Sequence, residues 1–276
     1  MLRRTEGIVL KTFPFGEADL IVTYLTHDFG IIKLFAKSPR KIKSRFGSSL
    51  EPLTHSRISF WGKEDTALPK LTQSDILHSF QSLRDSLNSF LRVSGIIELT
   101  ISFLPERDIN KKVYSLLLNT LWTLENNYTE FPDNSVKVLG CSPFIKGGID
   151  GLEGNEESGR EDLILNHYKI KFLGLAGFAP KLDACGRCGN RGYSFYLSQG
   201  AILCESCAKG IDLPIKLSPA VLRFYADLLT WDTAKIKRIR PSDVLLSELT
   251  DIINMHIKYI LSKPLKSESF MHSFIR

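Results

Sequence analysis

Two Cys-x-x-Cys pairs constrain this chain more than any other feature. Cys185-Gly186-Arg187-Cys188 and Cys204-Glu205-Ser206-Cys207 stand fifteen residues apart. Two residues between thiolates let one tight turn aim both sulfurs at a single ion, and an intervening hairpin brings the second pair round to complete a tetrahedron. Gly186 and Gly189 suit such turns. The spacing predicts a four-cysteine zinc ribbon at about 180–212, with Cys185, Cys188, Cys204 and Cys207 as ligands of one zinc per chain. Four thiolates fill the coordination shell and leave no position for an activated water, so the ion is expected to be structural rather than catalytic. The alternative, two unrelated pairs of buried or redox thiols, requires both spacings to coincide by accident. Cys141, far from the pairs, reads as a small core hydrophobe.

The rest of the chain divides by period. Thr5–Thr12, Leu20–Thr26, Gly30–Lys37, His55–Trp61 and Ala67–Gln73 are rich in β-branched and aromatic residues and read as five strands. Turn signals at Phe13-Pro14-Phe15-Gly16, His27-Asp28-Phe29-Gly30 and Trp61-Gly62-Lys63-Glu64-Asp65 favour antiparallel neighbours. A five-stranded unit this short suits an OB-like or an SH3-like barrel. From Ser79 the spacing becomes helical, through Phe80, Leu83, Leu87, Phe90, Leu91, Ile97 and Ile101 up to Pro105. Val113–Leu124 and Leu163–Leu175 predict two more helices. Ser218-Pro219 predicts an N-cap followed by a first-turn proline, and Pro241-Ser242 the start of a last helix through Ile260. Residues 147–162 carry six acids, five glycines and one arginine, and read as a mobile loop. The expected fold class is thus α+β and multidomain: a barrel over 1–78, then a mainly helical domain over 79–276 with the ribbon inserted.

Charge points to a partner only through its distribution, since a formal +6 is common among proteins that bind no nucleic acid. Lys37, Arg40, Lys41, Lys43 and Arg45 place five cations and no acid directly after the third strand. Adding Lys33 and Arg57 gives seven cations against the single Glu51 over 33–57. Such a strip on a barrel loop can follow a phosphate backbone, and single-strand binders add aromatic faces for bases, for which Phe35, Phe46 and Trp61 are available. A solvated charge run is the alternative, and composition does not decide between the two. Placement favours the first, because OB-like barrels often bind oligonucleotides through such loops. Lys235, Lys237, Arg238 and Arg240 form a lesser cluster that reads as a helix-end surface.

Several chemistries lack their usual signatures. No phosphate-binding Gly-x-x-x-x-Gly-Lys-Ser/Thr, no dinucleotide Gly-x-Gly-x-x-Gly, no His-Glu-x-x-His and no Gly-x-Ser-x-Gly occurs. The six histidines are scattered singly, so no catalytic set is expected, although no motif excludes a carboxylate-based nuclease. After Met1–Glu6 comes no apolar run of about 7–15 residues suited to a signal segment, nor one of about 18 suited to a membrane span. A cytoplasmic protein is expected.

Gly7-Ile8-Val9-Leu10, Gly16-Glu17-Ala18-Asp19, Phe29-Gly30, Ala36-Lys37, Ser44-Arg45-Phe46-Gly47 and Leu50-Glu51-Pro52 follow one another in an order that resembles the RecO family of bacterial DNA-repair proteins. Leu173–Pro180 before the first cysteine pair and Gly200-Ala201-Ile202-Leu203-Cys204 at the second extend the resemblance nearly end to end. Ser38-Pro39 depart from it, standing where the family usually has a glycine and a small residue. The resemblance implies an N-terminal OB domain, binding of single- and double-stranded DNA, and annealing of complementary strands. It also implies RecR and the C-terminal tail of the single-strand-binding protein SSB as partners, help in loading recombinase on SSB-coated DNA, and a place at the nucleoid. Some family members lack the cysteines, so a metal would not be essential to the shared activity. Two other classes stay open: a zinc-ribbon factor of transcription or assembly that acts purely by protein contact, and a metal-dependent nucleic-acid hydrolase.

Overall fold

The computed structural model describes residues 1–40, 44–63, 66–129, 153–192, 194–211 and 213–267. They form two compact units, one of Met1–Leu121 with the described residues from Leu265 onward, the other of Trp122–Pro264.

In the first unit the period-two runs become β1 (Leu2–Phe15), β2 (Asp19–Thr26), β3 (Gly30–Ala36), β4 (His55–Trp61) and β5 (Lys70–His78). β1 is long enough to pair with both β2 and β4, and a bulge between Val9 and Lys11 lets it bend between them. β2 pairs with β3 and β4 with β5, all antiparallel, and a short parallel contact of β3 with β5 closes the sheet in the order β1-β2-β3-β5-β4. Alternate residues point inward, so Val9, Val22, Tyr24, Ile32, Leu34, Ile58, Phe60 and Leu71 share one core. The connection from β3 to β4 drops Phe46 and Leu50 into that core through a single 3-10 turn, Gly47–Leu50.

The helical spacing after Ser79 yields two helices rather than one, α1 (Gln81–Asp85) and α2 (Leu87–Phe103). Ser86 is extended between them and its hydroxyl accepts the Ser89 N–H, ending one helix by capping the next. Arg84 in α1 donates to the carbonyls of Pro52 and Ser79 and to Thr54 Oγ1, and its other nitrogen lies 3.1 Å from Glu51. The first helix is therefore tied to the barrel, which explains why the compact units part at 121/122 and not at 78/79. α3 (Lys111–Thr129) follows.

Gly30 shows how closely the chain approaches itself. Its φ is +63°, and a Cβ there would stand 2.2 Å from the carbonyl oxygen of Asp108. Gly30→Ala combines left-handed strain with overpacking against backbone, and is expected to cost about 2–5 kcal/mol, read as a lowered thermal midpoint of the first unit.

The second unit contains α4 (Glu153–Leu175), β6 (Ser194–Tyr196), β7 (Ala201–Leu203), β8 (Ile215–Lys216), α5 (Pro219–Thr230), α6 (Thr233–Ile236) and α7 (Asp243–Leu261). Here the expected loop over 147–162 is corrected: from Glu153 onward it is helix, and Glu161 is buried. Glutamate is a good helix former, so a segment too polar to make a core of its own can still extend the apolar helix that follows it. Residues 147–152 and Cys141 lie outside the described residues. Ser218 and Ser242 both cap as expected, accepting the N–H groups of Val221 and Leu245. Partly buried polar pairs join α4 to α7, with Asn166 donating to Thr250 and Lys169 to Asn254, each at 2.7 Å.

Candidate metal centre and nucleic-acid interface

The ribbon begins where Lys181 pairs with the start of β7, its N–H donating to Gly200 O and its carbonyl accepting the Ile202 N–H. Each cysteine pair then sits in a tight turn. In the first, the Gly189 N–H donates to Cys185 O with Gly189 at φ +77°, and Gly186 donates to Ile202 O. A Cβ on Gly186 would lie 2.7 Å from that of Ala201, so a glycine is needed for the turn to reach the hairpin. In the second, the N–H groups of Cys207 and Ala208 both donate to Cys204 O. Arg187 spans the two turns by donating to Cys207 O and Gln199.

The four sulfurs consequently converge. A tetrahedral ion with metal–sulfur bonds of about 2.3 Å separates its sulfurs by about 3.8 Å. Here all four Sγ atoms lie within 4.8 Å of one another, and those of Cys188 and Cys204 are 3.5 Å apart. Backbone N–H groups of Cys188 and Cys204 hold the Cys185 thiol down to about 6, and the Ser206 hydroxyl, 3.1 Å from Cys204 Sγ, lowers that thiol too. Cys207 is pushed up to about 12 through its hydrogen bonds to Cys188 and Cys204. A cation binding to these four sulfurs would release their protons. Cys185 is buried with Tyr196 and Leu203, whereas Cys188 is exposed. The donor set fits a soft, four-coordinate metal.

On the barrel, the basic run starts from a defined anchor. Ser38 lies at φ +56°, the left-handed region that a glycine occupies without strain. Its N–H donates to Asp19 Oδ1 at 2.6 Å, and the Arg40 N–H reaches Ala18 O. Lys37, Arg40 and Arg45 are exposed, and the Arg45 guanidinium sits 4.9 Å from the centroid of the Phe46 ring. Lys41 and Lys43 lie outside the described residues. Lys33 and Arg57 are already engaged, Lys33 with Glu106 and Arg57 with Glu6 at 3.1 Å. Such exposed pairs are worth about 0–1 kcal/mol, so they lessen these two cations without removing them from reach of a phosphate. Glu51, the one acid of the segment, is taken up by Arg84.

The aromatic candidates separate. Phe46 is 3% exposed and belongs to the core, because the 3-10 turn folds it into the barrel mouth, whereas Trp61 is 59% exposed and Phe35 half-buried. Two further rings escaped the sequence pattern. Phe13 and Phe15, 60% and 50% exposed, are strand residues at the end of β1, although Phe13-Pro14-Phe15-Gly16 reads as a turn. The bulge between Val9 and Lys11 reverses the alternation, so Lys11, Phe13 and Phe15 face outward although Val9, of the same parity, faces the core.

Comparison with known proteins places this sequence in a family. Residues 1–80 match the family model described as Recombination protein O N terminal, and residues 146–269 match Recombination protein O C terminal. The DNA repair protein RecO of Thermodesulfovibrio yellowstonii is 40% identical over 263 residues, 93% of this chain and 92% of the relative. The chain belongs to the RecO family. RecO proteins of Syntrophus aciditrophicus and Dehalococcoides mccartyi are 30% and 28% identical, over 96% and 99% of this chain and 93% and 96% of their own. As a RecO-family DNA repair protein, the chain has among its described residues no helix long and apolar enough to cross a membrane.

Proposed function

We propose that this chain is a recombination mediator that binds single- and double-stranded DNA through its barrel, anneals complementary strands and helps load recombinase on SSB-coated DNA. RecR and the SSB C-terminal tail are its protein partners, and its place of work is the cytoplasm, at the nucleoid. It performs no covalent step. The free energy of annealing comes from base pairing; the protein screens phosphate repulsion and holds strands together. The observation that carries this reading is the exposure of Lys37, Arg40 and Arg45 in one stretch of the chain, where Glu51, the one acid over residues 33–57, is occupied by Arg84.

The barrel is of OB type. In support are its strand order, the parallel β3–β5 closure and the β3–β4 connection that plugs the core. Cys185, Cys188, Cys204 and Cys207 hold one zinc, which staples the two turns and has no role in binding DNA.

The isolated chain is expected to accelerate annealing of complementary oligonucleotides without ATP, and less so as salt rises. Strict ATP dependence would contradict this. Failure to bind single strands at low salt would favour a protein-contact factor instead, and magnesium-dependent strand cleavage would favour a hydrolase.

A further inference from the structure

Phosphate contacts alone leave one feature of the barrel unexplained, a set of exposed rings on its outer wall. Phe13 pairs with Ile21 and Ile21 with Phe35, so the three share one lateral row on the outward side of β1, β2 and β3. Phe35 pairs in turn with Lys70, and Lys70 with Trp61, which carries the same row onto β5 and β4. Phe15 stands one row further along β1 and meets Phe35 edge to face, with ring centroids 5.9 Å apart. An edge-to-face pair blocks only one of the four ring faces it brings together.

Phe13, Phe15 and Trp61 are exposed and Phe35 is half-buried, and clustered exposed apolar surface of this kind marks a site that something covers in use. Charge identifies what. The row before it runs Lys11, Thr23 and Lys33, and the strand end beyond Phe35 leads into Lys37 and Arg40. The acids in this neighbourhood are Glu17, exposed in the β1–β2 turn, Asp19, whose carboxylate accepts the Ser38 N–H, and Glu106, paired with Lys33. Rings interleaved with lysines and arginine match a polyanion that also carries flat apolar faces, which is single-stranded nucleic acid, and mismatch a duplex, whose bases are not open to stacking.

We propose that Phe13, Phe15 and Phe35, continued by Trp61, form a platform on which unpaired bases of single-stranded DNA stack while Lys11, Lys37 and Arg40 hold its phosphates. This rests on the reading of the barrel as a DNA-binding domain and adds which side chains meet the bases. Strands lie about 4.8 Å apart, so Phe13 and Phe35, two strands apart, can each receive a different base. The platform makes the chain prefer single strands whatever their sequence, since every base has a face to stack.

The test compares an oligothymidylate with an abasic oligonucleotide of the same length, which keeps the phosphates and lacks the bases. The intact chain is expected to bind the first at least about tenfold more tightly. In Phe13→Ala/Phe15→Ala that preference should shrink by about tenfold or more while the salt slope stays as it was, because no cation is touched. Phe13→Leu/Phe15→Leu keeps apolar bulk at these exposed positions and should lose the preference as well; thermal unfolding confirms that each variant folds. Equal binding of both oligonucleotides by the intact chain, or an unchanged preference in the folded variants, overturns the platform and leaves phosphate binding standing. Binding of neither oligonucleotide at low salt overturns the platform together with the DNA-binding reading.

Discussion

Cys188→Ser is expected to unfold the ribbon and weaken the second unit almost as much as Cys185→Ser, although Cys188 is exposed and Cys185 buried. Packing and ligation predict different outcomes for the two cysteines. If the sulfurs were only packed, an exposed thiol would contribute next to nothing, and its replacement would stay within about 0.5 kcal/mol. If they hold zinc, each supplies one of four bonds, and loss of any one forfeits much of a binding free energy on the order of 10–16 kcal/mol in zinc-finger peptides. Elemental analysis of carefully purified protein should return one zinc per chain, and neither variant should retain it. The helices and barrel of the first unit should persist, giving circular dichroism that falls only in part. Well under one metal per chain, or a Cys188→Ser protein as stable as its parent, would remove the zinc from the account.

What the sequence makes legible here follows from which constraints are local. The cysteine spacing encodes two turns directly, and four sulfurs do meet. The strand cores, too, are written in alternation, so β2, β3 and β4 fall within a residue or so of the predicted runs. Strand ends are less visible, because Pro14 and Gly16 signal a turn while pairing with β2 continues to Phe15. That one misreading hid Phe13 and Phe15 from the list of candidate rings.

Partners distant in sequence account for the other differences. Whether Phe46 faces solvent or core depends on where the 3-10 turn lands inside the barrel, and nothing adjacent to Phe46 states it. Lys33 and Arg57 look like members of a basic strip until Glu106 and Glu6 are brought beside them, 73 and 51 residues away. Glu51 looks like a counter-charge to that strip until Arg84 claims it. The acidic stretch shows a different limit. Composition tells that residues 153–162 cannot form a core unaided, yet it does not tell that they continue a helix whose apolar part lies downstream.

The central claim is that the basic run contacts phosphates, and salt dependence measures it most directly. Each phosphate neutralised by a cation contributes about −0.7 to the slope of log affinity against log salt for single strands. Five contacts from Lys37, Arg40, Lys41, Lys43 and Arg45 set an upper bound of roughly −3 to −4 for the intact chain. Lys37→Ala/Arg40→Ala/Arg45→Ala removes the three that are exposed among the described residues. Its slope should flatten by about 2, and affinity for all sequences should fall alike, since phosphates carry no base information. The barrel should remain folded, because exposed loop cations support little of its core. A triple variant that is folded by circular dichroism, yet binds single-stranded DNA with unchanged affinity and an unchanged salt slope, would contradict the claim and leave the run a solvated surface.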